Sequence, residues 1–167
     1  MNTLATGRTL GIIGILCGLL MVTKTARAVD HRIELDAPPT VETKRLDLMS
    51  ADLGSVFAGV DAVVHLATTV TPGEIDAASE ALEMAILHRV LDAAMETDVT
   101  QMVSLSTAMV YGAWVGNPVP ITEDAATRPN PDFGWAVLRG EIEKATLGWA
   151  SDRDVVAAVL RPTAVVA

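Results

Sequence analysis

The sequence predicts an α/β fold in three layers (αβα), with helices on both faces of a doubly wound parallel sheet. Short apolar segments alternate along the chain with longer segments of helical periodicity, a pattern typical of parallel βαβ units. Residues 61–66 (DAVVHL) form a nearly continuous apolar run, as in a strand that is buried on both faces. Ligands of such folds bind beyond the carboxyl ends of the strands, so we expect a binding site there.

The individual elements follow from local patterns. Residues 74–97 carry apolar side chains at helical spacing, whereas Gly, Pro and Asn make 111–131 a loop. Gly59 closes a short helix. The predicted strands are 4–6, 31–35, 41–46, 61–66, 101–106 and 155–160, and the predicted helices are 11–27, 51–58, 74–97 and 133–150.

Length and composition are those of a single domain, spanning residues 1–167. Half of the 167 residues are apolar, which is enough for a sizeable core. The net charge of -9 argues against nucleic acid and membranes as partners, because phosphate backbones and anionic lipids are also negative. The single cysteine, Cys17, cannot form an internal disulfide, which fits a cytoplasmic protein. We expect no metal site.

The apolar segment 10–22 (LGIIGILCGLLMV) has two interpretations. It is shorter than the roughly 20 residues of a transmembrane helix, and we interpret it as part of a buried helix. The alternative is a signal peptide spanning residues 1–28, with cleavage after Ala28 and secretion of the mature protein. Lys24 and Arg27 follow the apolar segment, where signal peptides are seldom basic, so we favour the cytoplasm.

Three glycines, Gly7, Gly11 and Gly14, lie between the first predicted strand and the first predicted helix. Glycines there let a pyrophosphate approach the helix N-terminus, where free N–H groups favour an anion. Asp36 ends the second predicted strand, where a carboxylate can accept hydrogen bonds from an adenine ribose. Close helix packing would also explain the glycines, and a strand-end turn would also explain Asp36.

Asp47 and Leu48 follow the third predicted strand. In this fold an acidic residue at that place can face the amino group of an adenine. A solvated loop aspartate fits the sequence equally well.

Four further motifs occur in order: VVHLA at 63–67, VLDAA at 90–94, LSTAMVYG at 105–112 and LRPT at 160–163. Together they resemble the NAD-dependent epimerase/dehydratase family of extended short-chain dehydrogenases/reductases over nearly the whole chain. The resemblance implies a Rossmann-type domain that binds NAD or NADP, and sugar-nucleotide or related substrates. It implies homodimers formed through the helices near 74–97 and 133–150. It also implies cofactor contacts at Leu66, Ala67, Arg139 and Pro162.

The resemblance further implies a catalytic trio of Ser or Thr, Tyr and Lys. Thr107 matches the Ser/Thr, whereas Trp135 and Arg139 stand for the Tyr and the Lys, with Glu143 as the family's following acidic residue. An indole N–H only donates and does not titrate usefully, and the pKa of arginine exceeds about 12. The single tyrosine, Tyr111, matches the V-Y-G motif instead. We therefore expect catalysis to be impaired or absent.

Two alternatives remain open: an active oxidoreductase or epimerase that uses Thr107 or water, and a non-enzymatic remnant or regulatory module. The glycine spacing has one extra residue, and Glu83 replaces an asparagine of the family. The family continues into a C-terminal substrate-binding region, which we expect this chain to lack through truncation. His65 is expected to be structural or to pack against the cofactor. Asp36 favours NAD over NADP, because a carboxylate repels a 2′-phosphate.

Overall fold

The computed structural model describes residues 26–30, 41–68, 75–151 and 153–163, and only the backbone of 26–30 and 41–43. The elements are β1 (Ala26–Asp30), β2 (Val41–Arg45), α1 (Leu53–Phe57), β3 (Ala62–His65), α2 (Ala77–Met95), β4 (Gln101–Leu105), a 3-10 helix (Ala108–Tyr111), α3 (Gly134–Ser151) and β5 (Val156–Leu160). The predicted strands 4–6 and 31–35 lie outside the described residues. So do Gly7, Gly11, Gly14 and Asp36.

The strands form two parallel sheets, which confirms the predicted α/β class. β1 pairs with β2, and β3, β4 and β5 pair in that order. His65 lies beside Ser104, and Ser104 lies beside Val159, so these three residues mark the carboxyl ends of three adjacent strands. Parallel strands need crossover connections, and α2 and α3 provide them between β3, β4 and β5.

The start of β1 corrects one predicted boundary. We predicted a helix over 11–27, but Ala26 and Arg27 belong to β1 and pair with Val41 and Glu42. Ala and Arg favour helices intrinsically, yet pairing with a neighbouring strand overrides so weak a preference. β1 is described as far as Asp30, and Asp36 lies outside the described residues.

The core lies between the β3–β4–β5 sheet and three helices. Val63 of β3 and Met102 of β4 face α2 and α3, which contribute the buried side chains of Leu87 and Leu138. Asp76 caps α2 by accepting a hydrogen bond from the backbone N–H of Ser79 at 2.7 Å. This packing holds the carboxyl ends of the three strands at one edge of the domain.

Within the described residues, β5 also carries exposed apolar side chains. Val156 and Leu160 are 64% and 50% exposed, although both are large and apolar. In the described ranges, none of the helices combines the length and apolar character needed to cross a membrane.

Candidate functional site

A pocket of about 500 Å³ opens just beyond the carboxyl end of β4. Its polar lining consists of two hydroxyls, from Thr107 and Thr163, and the amide of Asn130. None of the described lining residues has a side chain that titrates near neutral pH. The other lining residues are Ala108, Met109, Gly112, Ala113, Trp114 and Phe133. The pocket can therefore hold a ligand by stacking and by neutral hydrogen bonds.

Thr107 owes its place to the 3-10 helix that follows β4. Its hydroxyl accepts a hydrogen bond from the backbone N–H of Met109 at 3.3 Å and so caps that helix. Gly112 then adopts a φ of 65°, a left-handed conformation that glycine allows and most residues disfavour. Trp114 forms the next part of the pocket lining, and its indole N–H donates a hydrogen bond to the carbonyl of Arg128 at 2.6 Å, which fixes the orientation of the ring.

Phe133, rather than Trp135, shares the pocket with Thr107. Phe133 directly precedes α3, and Val137 follows one helical turn later. Trp135 and Arg139 lie in the interior, with 5% and 1% of their surface exposed. Neither is among the described residues that line the pocket.

Arg139 belongs to a buried polar cluster between α2, α3 and the end of β3. Its Nη2 donates to Oε2 of Glu83 at 2.5 Å, and the hydroxyl of Thr68 donates to the same oxygen at 2.8 Å. Burial lowers the pKa of the Arg139 guanidinium, while the Glu83 carboxylate opposes that shift. Burial also lowers the pKa of His65 to about 4, so this imidazole is neutral at physiological pH.

Glu143 belongs to a second polar cluster that joins three elements. It accepts hydrogen bonds from the Ser106 hydroxyl and from Arg161, whose Nη2 lies 2.7 Å from Oε2. Nη1 of Arg161 also donates to the phenol oxygen of Tyr111 at 2.7 Å, and Glu143 and Tyr111 together raise the pKa of Arg161. The single tyrosine therefore holds the end of β5 and does not line the pocket with Thr107.

The other predicted cofactor residues that the structure describes all follow strand ends. Both carboxylate oxygens of Asp47 bond within their own turn, to the N–H of Met49 and the hydroxyl of Ser50. Leu48 and Ala67 are buried in the core, so a ligand there would meet mainly their backbone. The remaining two, Leu66 and Pro162, follow β3 and β5.

The profile of the NAD dependent epimerase/dehydratase family matches residues 18–167. The chain belongs to this family. Its members are NAD-dependent by description, and the parallel sheets with their crossover helices fit a Rossmann-like domain. No curated protein sequence shows a significant match.

Several solved structures resemble this family member. The structure of MoeE5 in complex with UDP-glucose and NAD shares 27% identity and a TM-score of 0.59, covering 80% of this chain and 43% of MoeE5. The UDP-glucuronic acid 4-epimerase from Bacillus cereus in complex with NAD shares 19% identity and a TM-score of 0.67, covering 82% of this chain and 47% of the epimerase. A putative epimerase from Burkholderia cenocepacia J2315 shares 23% identity and a TM-score of 0.62, covering 82% and 45%. The chain thus spans less than half the length of each of these proteins.

Sequence reasoning missed one residue of the candidate site. Phe133 has Val137 four residues later, the same spacing as Trp135 and Arg139, so spacing alone could not separate the two pairs. Burial separates them, because only Phe133 reaches the pocket.

Proposed function

We propose that this chain is an NAD-binding domain of the epimerase/dehydratase family that holds its ligands without ordinary proton transfer. The observation that carries the proposal is the pocket beside Thr107, whose described polar groups are hydroxyls and an amide. The family match and the NAD complexes of the neighbours support NAD as the cofactor. We also propose that residues 1–167 act as one domain.

The residues at the strand ends fit a dinucleotide. Asp30 is the last described residue of β1, Asp47 follows β2, Leu66 follows β3 and Thr107 follows β4, and such folds bind nucleotides at the carboxyl ends of their parallel strands. A carboxylate at the end of β1 suits a ribose 2′-hydroxyl and repels a 2′-phosphate, which favours NAD over NADP. We assign this role to Asp30 ahead of Asp36.

We further propose that Phe133 and Val137 occupy the acid–base positions, two residues before Trp135 and Arg139. Phe133 lines the pocket beside Thr107, and Val137 lies one turn along the same helix face. A bound nicotinamide would supply or accept a hydride, but neither benzyl nor isopropyl side chains can move the accompanying proton. Weak or absent catalysis is therefore expected whichever of the two residue pairs occupies the acid–base positions.

Isothermal titration with NAD, NADH, NADP and NADPH tests the binding. We expect NAD or NADH to bind more tightly than the phosphorylated forms, and Asp30→Ala to reduce that preference. Absence of binding by all four at millimolar concentration would falsify the proposed function.

The choice between Phe133 with Val137 and Trp135 with Arg139 as the acid–base positions can be tested by introducing a tyrosine and titrating its phenol spectrophotometrically. In Phe133→Tyr/Val137→Lys, the ammonium one turn away should lower the pKa of the new phenol by about one unit relative to Phe133→Tyr alone. Trp135→Tyr, against Trp135→Tyr/Arg139→Met, is the matched control, because each pair of variants then differs by one positive charge. A shift in the control pair alone would instead favour the register with Trp135 and Arg139.

Sugar nucleotides are the substrate class we propose, because the MoeE5 and Bacillus cereus structures are complexes with UDP-glucose and UDP-glucuronic acid. Thr107 supplies the alternative of residual turnover, since its hydroxyl lies in the pocket. Turnover of UDP-glucose that Thr107→Ala leaves unchanged would contradict this alternative.

We propose a cytoplasmic location. Cleavage after Ala28 would remove three of the five β1 residues that pair with β2. Mass spectrometry of the mature protein should therefore find no chain that begins at Val29, and finding one would support secretion.

A further inference from the structure

Trp114 is the exposed member of the three tryptophans in the chain. Trp135 and Trp149 are buried, with 5% and 7% of their surface exposed, whereas Trp114 is 42% exposed although it lines the pocket beside Thr107. Tryptophan offers a large apolar ring for contact, and aromatic side chains are typical of the walls of ligand pockets. An exposed face of this ring inside a concave pocket therefore indicates a place where a ligand packs.

The loop after the 3-10 helix holds the Trp114 ring in one orientation. Its indole N–H donates to the carbonyl of Arg128 at 2.6 Å. The amide nitrogen of Asn117 donates to the carbonyl of Gly112 at 2.8 Å, and Nη2 of Arg128 donates to the amide oxygen of Asn117 at 2.8 Å. A Cβ atom at Gly112 would overlap the indole nitrogen and the Arg128 carbonyl oxygen, so this close approach needs a glycine. A ring that is held in place before binding loses little conformational entropy when a ligand packs on it.

The polar groups of the pocket indicate which kind of ring suits Trp114. The hydroxyls of Thr107 and Thr163 and the amide of Asn130 line the same pocket, and each of these groups can both donate and accept hydrogen bonds. A pyranose carries C–H groups on its faces and hydroxyls around its edge. The C–H groups can pack on the electron-rich face of an indole while the hydroxyls bond to hydroxyl and amide groups. This combination of side chains therefore suits a sugar ring.

We propose that Trp114 stacks on the sugar ring of a sugar nucleotide and so favours this ligand over the nucleotide alone. This inference rests on the proposed function, which supplies the sugar nucleotide. A nicotinamide ring also stacks on an indole, but its single carboxamide would use fewer of the three polar groups than a sugar does. Trp114 is a binding residue here and takes no part in proton transfer.

Isothermal titration with UDP-glucose and UDP measures the contribution of the sugar ring. Trp114→Ala should weaken the binding of UDP-glucose about tenfold and leave the binding of UDP unchanged. Trp114→Phe keeps an aromatic ring and should retain part of the lost affinity. NADH and ADP-ribose, which differ by the nicotinamide ring, should bind both variants as they bind the wild type. Trp114→Leu, which keeps apolar bulk without a flat ring, replaces Trp114→Ala if that variant does not fold.

Tryptophan fluorescence reports the stacking itself. Because Trp135 and Trp149 are buried, UDP-glucose should change the emission of Trp114 and protect it from quenching by acrylamide, whereas UDP should do neither. Trp114→Phe should abolish this response. Val115→Ala is the matched control, because Val115 is adjacent and fully exposed but is not among the described residues that line the pocket. It should leave the affinities and the fluorescence response unchanged.

Each outcome decides the inference. A folded Trp114→Ala protein that keeps its affinity for UDP-glucose, or that loses affinity for UDP to the same extent, overturns it. A loss of affinity for NADH alone, with ADP-ribose and UDP-glucose unchanged, overturns it in favour of stacking on the nicotinamide. A wild type that binds NADH but not UDP-glucose overturns the inference while sparing the proposed NAD-binding domain, whereas no binding of any of the four ligands overturns both.

Discussion

At the scale of single residues, the interior of this domain holds several ionisable side chains. His65, Glu83 and Arg139 are all buried, although histidine, glutamate and arginine are mostly found at surfaces. Glu83 and Arg139 are 56 residues apart in sequence, so their ion pair exists only once α2 and α3 pack together. No local pattern in the sequence could have predicted that pair.

His65 should make stability depend on pH. Its pKa falls from 6.5 in the unfolded chain to about 4 in the fold, because burial disfavours the imidazolium. Above pH 6.5 the imidazole is neutral in both states, so it does not change the free energy of unfolding. As the pH falls from 6.5 towards 4, only the unfolded chain binds the proton, and the folded state becomes less stable. The unfolded state then gains about 2 kcal/mol by pH 5 from this residue alone.

Urea unfolding of His65→Asn at pH 7.5 and pH 5 checks this prediction. Between pH 7.5 and pH 5, the free energy of unfolding should fall by about 2 kcal/mol less in the variant than in the wild type. His88→Asn, in the exposed face of α2, is the control and should behave as the wild type does. Equal losses for His65→Asn and the wild type would show that the imidazole is not buried in neutral form.

At the scale of elements, the sequence predicted the second half of the fold well. The predicted segments 61–66, 101–106 and 155–160 contain β3, β4 and β5, and 133–150 matches α3 within one residue at each end. These segments succeed because the apolar periodicity of a buried strand or helix is strong. The prediction failed at Ala26, where a residue that favours helices sits in a strand because β2 pairs with it.

The candidate site was less predictable than the elements. Thr107 was found because the motif LSTAMVYG at 105–112 resembles the family, and the structure places this residue in the pocket. Phe133 was missed because the choice between two pairs with equal spacing depends on which helix face meets the pocket. Phe133 and Trp135 are two residues apart, so they lie about half a helical turn apart. Helix boundaries predicted from sequence are uncertain by the same one or two residues.

The Arg161–Glu143 pair should dominate the stability of the junction between α3 and β5. Two nitrogens of Arg161 bond the Glu143 carboxylate, which is buried against Ser106. Arg161→Met leaves that carboxylate buried without a cation, which costs about 3 kcal/mol in free energy of unfolding. Urea denaturation measures the loss.

An exposed ion pair on the same helix provides the contrast. Lys144 lies 2.7 Å from Glu141 with both side chains largely in solvent, so Lys144→Met should cost less than about 1 kcal/mol. Glu143→Leu/Arg161→Met should recover most of the loss, since no buried charge remains. Equal destabilisation by Arg161→Met and Lys144→Met would show that the buried ion pair contributes no more to the free energy of unfolding than the exposed one.

At the scale of the whole molecule, α2 and α3 both pack on one face of the β3–β4–β5 sheet. Among the described residues, Val156 and Leu160 of β5 are exposed on the other face, and exposed apolar side chains along one strand favour self-association. Threonine is β-branched, which suits a strand, and it adds a hydroxyl. Val156→Thr/Leu160→Thr should therefore reduce concentration-dependent association and the binding of a hydrophobic dye without unfolding the sheet.

Sedimentation velocity over a range of protein concentrations, with dye fluorescence on the same samples, checks this last prediction. Val115→Thr is the control, because Val115 is a fully exposed residue in the loop after the 3-10 helix and does not belong to the β5 face. An isolated apolar side chain adds little to association, so this variant should match the wild type. If both variants associate as the wild type does, contacts elsewhere on the molecule drive its association, and the open face of β5 is tolerated in water.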